Sequence, residues 1–325
     1  MADVIDLGHR LQNLCATLIV AVANFSNFAK DKRHEIPAMS VMFAHQRYQP
    51  FPAARVSAHD RGHTLGDGIY EYVLAWHGRL IDIEPHLDRL YRSVNEVRMT
   101  GVMGRHALRL KMIDFCRQNK LQNGGLYLQL TRGTAPREHY FPLNPKPNLT
   151  MMVRHYILNE QDKQLEHGVT VNSLADMRWR RCDIKVISLL ANCLAKQWAD
   201  EAGGHEVAFY NDQDIISEGG SSNLWLVDKN GVLRTHQADH QILNGITKQM
   251  VERVTAARDM KISWESFSRA EAYEGREMFL TSSSQLGVPI IMLDGKTIGT
   301  GKPGPVTRAI HTAIMTAMVK QPIVL

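Results

Sequence analysis

From residue 40 onward the apolar positions follow two periods, and the switches between them outline a mixed α/β (α+β) protein. Residues 69–83, IYEYVLAWHGRLIDI, read as two strands meeting at a His77-Gly78 turn, a hairpin signal. A helix is predicted from about Pro85, a residue allowed in a first turn, because Leu87, Leu90, Val94 and Val97 recur at helical spacing. A second helix should cross residues 106–118, and GLYLQLTRG and NLTMMVRHYI, rich in β formers, should follow as strands. Beyond residue 168, HEVAFY, DIIS, NLWLVDKNGVLRTH, MFLTSS and VPIIML read as strands, with Asn230-Gly231 as another hairpin turn. SLLANCLAKQWADEA, ITKQMVERVTAARDM and PVTRAIHTAIMTAMV read as helices. No internal repeat or low-complexity tract interrupts the pattern.

Residues 158–168, LNEQDKQLEHG, are polar and carry no apolar period, which makes them the expected link between two domains. The length of 325 residues suits that division. The expected layout is an extension over 1–38, a small domain over 39–158, a link over 159–167 and a larger domain over 168–325. Small-molecule sites form preferentially in the cleft between such domains. The extension contains an apolar run at 14–25, but Asp3 and Asp6 sit where a secretory leader should be positive. The run is also too short to span a bilayer as a helix. Met39 and Met42 are alternative starts.

Composition adds little to this picture: 44% hydrophobic and 22% charged residues describe an ordinary folded protein. The formal charge of +5 invites a nucleic-acid reading, yet Lys and Arg are interspersed with Asp and Glu rather than gathered in a stripe. No nucleic-acid and no membrane partner is expected. Cys15, Cys116, Cys182 and Cys193 show no metal-ligand spacing and are too few for a disulfide scaffold, so no metal and a cytoplasmic location are expected.

Several stretches could carry chemistry. In RCDIKVISLLAN, Lys185 stands between Ile184 and Val186; a desolvated ammonium favours its neutral, nucleophilic form, while the plainer reading is a lysine whose stem covers apolar surface. ILNGITKQM sets Gly245 before a predicted helix, and free amides at a helix N-terminus attract anions. The serines of TSSSQLG could hold phosphate oxygens. In SEGGSSN, a carboxylate follows a strand and could meet a protonated ring nitrogen. Arg137 and His139, two apart in TRGTAPREHYFP, could grip a carboxylate from one face of an extended segment. Arg89 lies on an otherwise core-facing helix, aimed at an anion or a salt-bridge partner. Together these describe a cofactor with a phosphate, a ring nitrogen and an aldehyde, and a substrate with a carboxylate, which is the chemistry of pyridoxal phosphate.

RVSAHDRGHTLGDGIYE, HLDRLYRS, YLQLTRGTAPREH, RWRRCDIKVISLLANCLAKQ, ISEGGSSN, ILNGIT and LDGKTIGTGKPGPVTR, in that order across residues 40–308, resemble the class IV, fold type IV pyridoxal-phosphate aminotransferases, and among them the D-amino acid branch. The resemblance implies that Lys185 forms the Schiff base and shuttles the proton, and that Glu218 pairs with the ring nitrogen. It implies a phosphate site from Arg89, Gly245, Ile246, Thr247, Ser282 and Ser283, with Ser222 beside the cofactor and Leu243 against the ring. Tyr70, Tyr72, Arg137 and His139 would meet the substrate, and Glu71 and His86 would support Arg89. The implied activity is ping-pong transfer of an amino group from a D-amino acid donor to a 2-keto acid, in a homodimer. An (R)-selective amine transaminase, a branched-chain L-amino acid aminotransferase and an aminodeoxychorismate lyase of the same fold are the alternatives.

Overall fold

In the computed structural model, which describes residues 41–155, 159–258 and 260–325, the alternating stretch after Asp67 becomes a strand, β3 (Gly68–Trp76), with Ile69, Val73 and Ala75 buried and Tyr70 and Tyr72 on the other face. It turns at His77 and Gly78, both at positive φ as a two-residue hairpin requires, into β4 (Arg79–Leu80). Upstream lie β1 (Val41–Ala44), β2 (Arg47–Pro50) and a short helix, α1 (Arg61–Leu65). Helix α2 (Ile83–Glu96) starts two residues before Pro85, and α3 (Arg105–Gln118) follows. With β5 (Gly124–Thr131) and β6 (Asn148–His155), the first four strands form an antiparallel sheet in the order β2-β1-β6-β5-β3-β4. Leu87, Leu90 and Val94 of α2 and Leu108, Met112 and Phe115 of α3 share one buried core with Ile69, Val73 and Leu128 of the sheet.

The polar segment is helical, α4 (Asn159–His167), and joins β6 to β7 (Val169–Ala175), a strand the sequence pattern did not announce. Helix α5 (Leu190–Glu201), β8 (Glu206–Tyr210), β9 (Ile215–Gly219), β10 (Asn223–Val227) and β11 (Leu233–Thr235) come next. They are followed by α6 (Ile246–Ala256), which stops short of the predicted end, then β12 (Ile262–Ser263), β13 (Phe267–Ser268) and α7 (Arg269–Glu274). The chain closes with β14 (Glu277–Ser282), β15 (Gln285–Leu293), β16 (Lys296–Thr297) and α8 (Pro305–Val319). The ten strands from β7 onward form a second, mixed sheet, ordered β12-β11-β10-β14-β15-β7-β8-β9-β13, with β16 on β15. Strand β7 runs parallel to both neighbours, β15 and β8, and parallel neighbours need a long crossover connection.

Leu74 of β3 and Ile81, just past β4, are buried with Trp225 and Phe279 of the second sheet, Met250 of α6 and Ile314 of α8. Residues Ser40–Leu325 accordingly form one compact unit that holds both sheets. Among the described residues no helix is long and apolar enough to cross a membrane, and no cluster of side chains has metal-ligating composition. The expected extension over 1–38, with its apolar run, lies outside the described residues.

The crossover from β7 to β8 positions the site. Before it reaches α5 it runs along the uncovered start of β3, where the Tyr70 amide donates to the Lys185 carbonyl (2.9 Å) and the Ile187 amide to the Gly68 carbonyl (3.1 Å), with Val186 bridged to Ile69. A segment whose ends belong to the second sheet is thus bridged to the first.

Candidate active site

Lys185 leaves this bridged segment into a cavity of about 270 Å³ walled by both sheets. Its Nζ lies 4.2 Å from the centroid of the Tyr70 ring, within cation–π range. Ile184, one residue earlier, is buried in the first core.

Across the cavity, at the end of β9, Glu218 is buried. Its carboxylate accepts from Arg178 Nη1 (2.6 Å), Asn223 Nδ2 (3.1 Å) and the Leu243 amide (3.0 Å). Burial dominates these partners and pushes the Glu218 carboxyl up to about 7, although the Arg178 charge and hydrogen bond pull it down. Arg178 is itself buried, bonded twice to Asp176 (2.9 and 2.7 Å) and stacked 4.4 Å from the Phe209 ring centroid. Neither Arg178 nor Asn223 stands out in the sequence. RWRRCDIK offers Arg178, Arg180 and Arg181 as equals, and only the fold turns Arg178 inward.

The third wall is the start of α6. Its N-cap, Gly245, supplies no side-chain cap, so the first amides, those of Ile246 and Thr247, face the cavity as donors beside the positive end of the helix dipole. A Cβ on Gly245 would stand 2.0 Å from Asn223 Oδ1, so any larger residue must displace that side chain. Arg89 of α2 reaches the same corner and donates to the Asn244 carbonyl through Nη1 (3.0 Å). Its other nitrogens grip Glu71 of β3 (2.7 and 2.7 Å), and His86 Nδ1 meets the same carboxylate (2.7 Å). Ser282, the last residue of β14, and Ser283, just past it, complete this corner. A buried arginine, free helix amides and hydroxyls converging on one point make an anion site, and phosphate is the anion such sites commonly hold.

Of the residues expected from sequence, Lys185, Tyr70, Arg89, Glu218, Leu243, Gly245, Ile246, Thr247, Ser282 and Ser283 all line this cavity. Ser222 lines it too, but its hydroxyl donates to the buried Glu206 (3.1 Å), so it braces the wall. Three expected substrate contacts are not brought to the cavity by this chain. Tyr72 shares a face of β3 with Tyr70, but its ring covers Gly125 on β5, farther from Lys185. Arg137 and His139 are exposed on the loop between β5 and β6. That loop is held from beneath: Arg61 donates to the Glu138 and Tyr140 carbonyls, Arg132 stacks 3.6 Å from the Phe141 ring centroid, and both arginines share Asp67 (2.8 Å each).

The Glu71 carboxyl carries a pH prediction. Burial alone would raise it, but Arg89 and His86 outweigh burial and hold it at about 2, against an ordinary value of 4.5. A depressed carboxyl contributes stability that is complete above its unfolded pKa and lost as pH falls through the folded one. Wild-type protein should therefore lose stability between 4.5 and about 2 more steeply than Glu71→Gln, as read by Tm across that window.

Comparison with known proteins agrees with this geometry. The family model for class IV amino-transferases matches residues 68–292, more than half of the chain. The D-alanine aminotransferase of Staphylococcus haemolyticus is 35% identical over 274 residues, 84% of this chain and 96% of that protein. The D-alanine aminotransferase of Bacillus licheniformis is 34% identical over 266 residues, covering 82% and 93% respectively. Among solved structures, the Escherichia coli branched-chain amino acid aminotransferase superposes with a TM-score of 0.79 at 20% identity, over 86% of this chain and 95% of that one. A hypothetical aminotransferase from Mycobacterium tuberculosis, in a PLP-bound form, gives 0.75 at 21%, over 86% and 99%. At such identities the structures speak for the fold, whereas the family match and the closer sequences speak for descent. With its lysine, buried acid and anion corner in one cavity, the chain belongs to the class IV aminotransferase family.

Proposed function

We propose that the protein is a pyridoxal-phosphate-dependent transaminase that moves the amino group of a D-amino acid, such as D-alanine, to a 2-keto acid. The observation that carries this reading is the triangle of amine, buried carboxylate and anion corner around one cavity. The residues fit the cofactor: its phosphate would meet Arg89, the amides of Ile246 and Thr247 and the hydroxyls of Ser282 and Ser283. Its ring nitrogen would meet Glu218, and its aldehyde Lys185. Bound there, it supplies an electrophilic carbonyl for Schiff-base chemistry and a protonated ring that accepts an electron pair. Lys185, once released, is the base within reach of the substrate α-proton. Arg178, Asn223 and the Leu243 amide hold the Glu218 carboxylate in place for the ring nitrogen.

The donor's D configuration is supported by the names of the sequence relatives and by the paired Arg137 and His139. Their exposed loop suits a carboxylate grip delivered to the cavity of a second copy. Tyr140, Phe141 and Leu143 on that loop, and Leu190, Leu194 and Trp198 on α5, are exposed apolar side chains of the kind a homodimer covers. The free thiols of Cys116, Cys182 and Cys193 suit the cytoplasm. The division into a small domain over 39–158 and a larger one over 168–325 belongs to the same proposal.

The test is keto-acid formation by the cofactor-loaded protein from D-alanine, L-leucine and (R)-1-phenylethylamine, each with and without 2-oxoglutarate. Acceptor-dependent turnover of D-alanine alone is expected. Pyruvate release without an acceptor would mean elimination rather than transfer, and turnover of L-leucine alone would reverse the assigned configuration. A smaller variant probes the anion corner: Gly245→Ala should weaken cofactor affinity roughly tenfold, since its methyl must displace Asn223. Equilibrium dialysis against pyridoxal phosphate reads that change, and unchanged affinity would remove Gly245 from the site.

A further inference from the structure

Asp183 lies two residues before Lys185 but is not among the residues that line the cavity. It is 6% exposed. Arg181 grips its carboxylate through Nε and Nη2 (2.9 and 2.9 Å), and His240 Nδ1 stands 3.3 Å from Oδ1. Arg92 closes the cluster, with Nη2 on the carboxylate and Nη1 on the Asp183 carbonyl (2.9 Å). Arg181 in turn donates to Glu96 (2.6 Å), and the Cys182 amide to the His240 carbonyl (2.9 Å). Burial would raise this carboxyl, yet the hydrogen bonds and charges of Arg181 and Arg92, with His240, hold it well below the usual carboxylate range.

The partners are informative by their place. Arg92 and Glu96 follow Arg89 along α2 at spacings of three and seven, so one helix face presents the anion-binding arginine and both ties to the lysine segment. On the other side that segment is bonded to β3, the strand whose Glu71 holds Arg89. Lysine and anion corner are thereby fixed to the same two elements. Only the Asp183 carboxylate is buried, whereas Arg92, Arg181 and His240 are 44%, 35% and 70% exposed, and because ion pairs that open to solvent contribute little, the cluster is a poor device for stability alone. It is a good device for holding a distance.

We propose that Asp183 is a positioning residue that sets the reach of Lys185 toward the aldehyde of a cofactor whose phosphate Arg89 would anchor, by tying the lysine segment to α2. The proposal rests on the transaminase reading. It is tested in the full-length, cofactor-loaded protein with Asp183→Asn, Asp183→Glu and Arg92→Gln, the last at a half-open edge of the cluster.

Asp183→Asn should lower kcat for D-alanine roughly 100-fold, the cost of about 1 Å of misplacement, while KM changes little. The pH midpoint of the bound cofactor's visible absorbance should also move, because a displaced segment changes what surrounds the nitrogen at Lys185. Asp183→Glu should restore part of both, and Arg92→Gln should shift both the same way by less. Wild-type kcat and midpoint in Asp183→Asn would overturn the proposal whatever its Tm. If that variant does not fold, wild-type values in Arg92→Gln overturn it. Borohydride reduction followed by peptide mass mapping separates the two levels: a label on Lys185 in the wild type keeps the transaminase reading. Its absence there overturns that reading and the positioning role with it.

Discussion

Lys185→Ala is expected to lower the transamination rate roughly 10⁴-fold or more, since it removes both the covalent anchor and the general base. The fold should survive, because the lysine segment is held by its backbone: the Lys185 carbonyl accepts from Tyr70 and the Ile187 amide donates to Gly68, and neither bond needs the side chain. The cofactor should still bind, through Arg89 and the amides of Ile246 and Thr247, but borohydride should no longer fix it to the protein. Single-turnover measurement with D-alanine, with far-ultraviolet dichroism as the fold control, checks the outcome. A variant that keeps more than a tenth of the wild-type rate would remove Lys185 from the chemistry.

Glu218→Gln is the second large effect, and it acts on both activity and stability. An amide keeps the shape and can still meet Asn223, but it cannot hold a ring nitrogen protonated, so kcat should fall roughly 10²–10³-fold. Arg178 loses one of its two carboxylate partners while remaining buried, which should cost about 2 kcal/mol, less than a full buried-pair rupture because Asp176 stays. The two effects separate by pH. In the cofactor-free protein the Glu218 carboxyl sits at about 7 against an ordinary 4.5, so the folded state holds a proton the unfolded chain has released. Stability from such a group is complete below 4.5 and is lost as pH rises to about 7. Wild-type Tm should decline across that window relative to Glu218→Gln, the reverse of the trend expected at Glu71. A flat difference would mean that the carboxyl titrates elsewhere.

Much of this architecture was written in local pattern. The helix predicted over 305–319 is α8 (Pro305–Val319), with a proline at its first turn and apolar residues at helical spacing. The His77-Gly78 hairpin and strands β5, β8, β10 and β14 are legible from turn residues and β-forming composition. Strand β7 was not: VTVNSLA mixes Asn172 and Ser173 into its apolar run, and the strand is stabilised by parallel neighbours distant in sequence. Helix α4 has a polar sequence without an apolar stripe, so nothing local distinguished it from a loop.

The site divides in the same way. Lys185, Glu218, Arg89 and Gly245 stand out through residue type and neighbours. Arg178 and Asn223 matter only through reach and burial, which no short stretch encodes. Period-two alternation rightly puts Tyr70 and Tyr72 on one face, but it cannot tell that the cavity opens beside the first and ends before the second.

The pairing of residues 185–187 with the start of β3 also bears on how the molecule is assembled. The contact joins Ile69 to Val186, positions far apart in the chain, and such closures form slowly because much loop entropy must be lost first. The two sheets can each gather around their own strands before the lysine is delivered between them. The expected result in a refolding chain is that visible absorbance recovers after far-ultraviolet dichroism, and simultaneous recovery would refute that order. A ligand that binds only the docked form also biases the equilibrium toward it, so cofactor supply during synthesis becomes a determinant of yield.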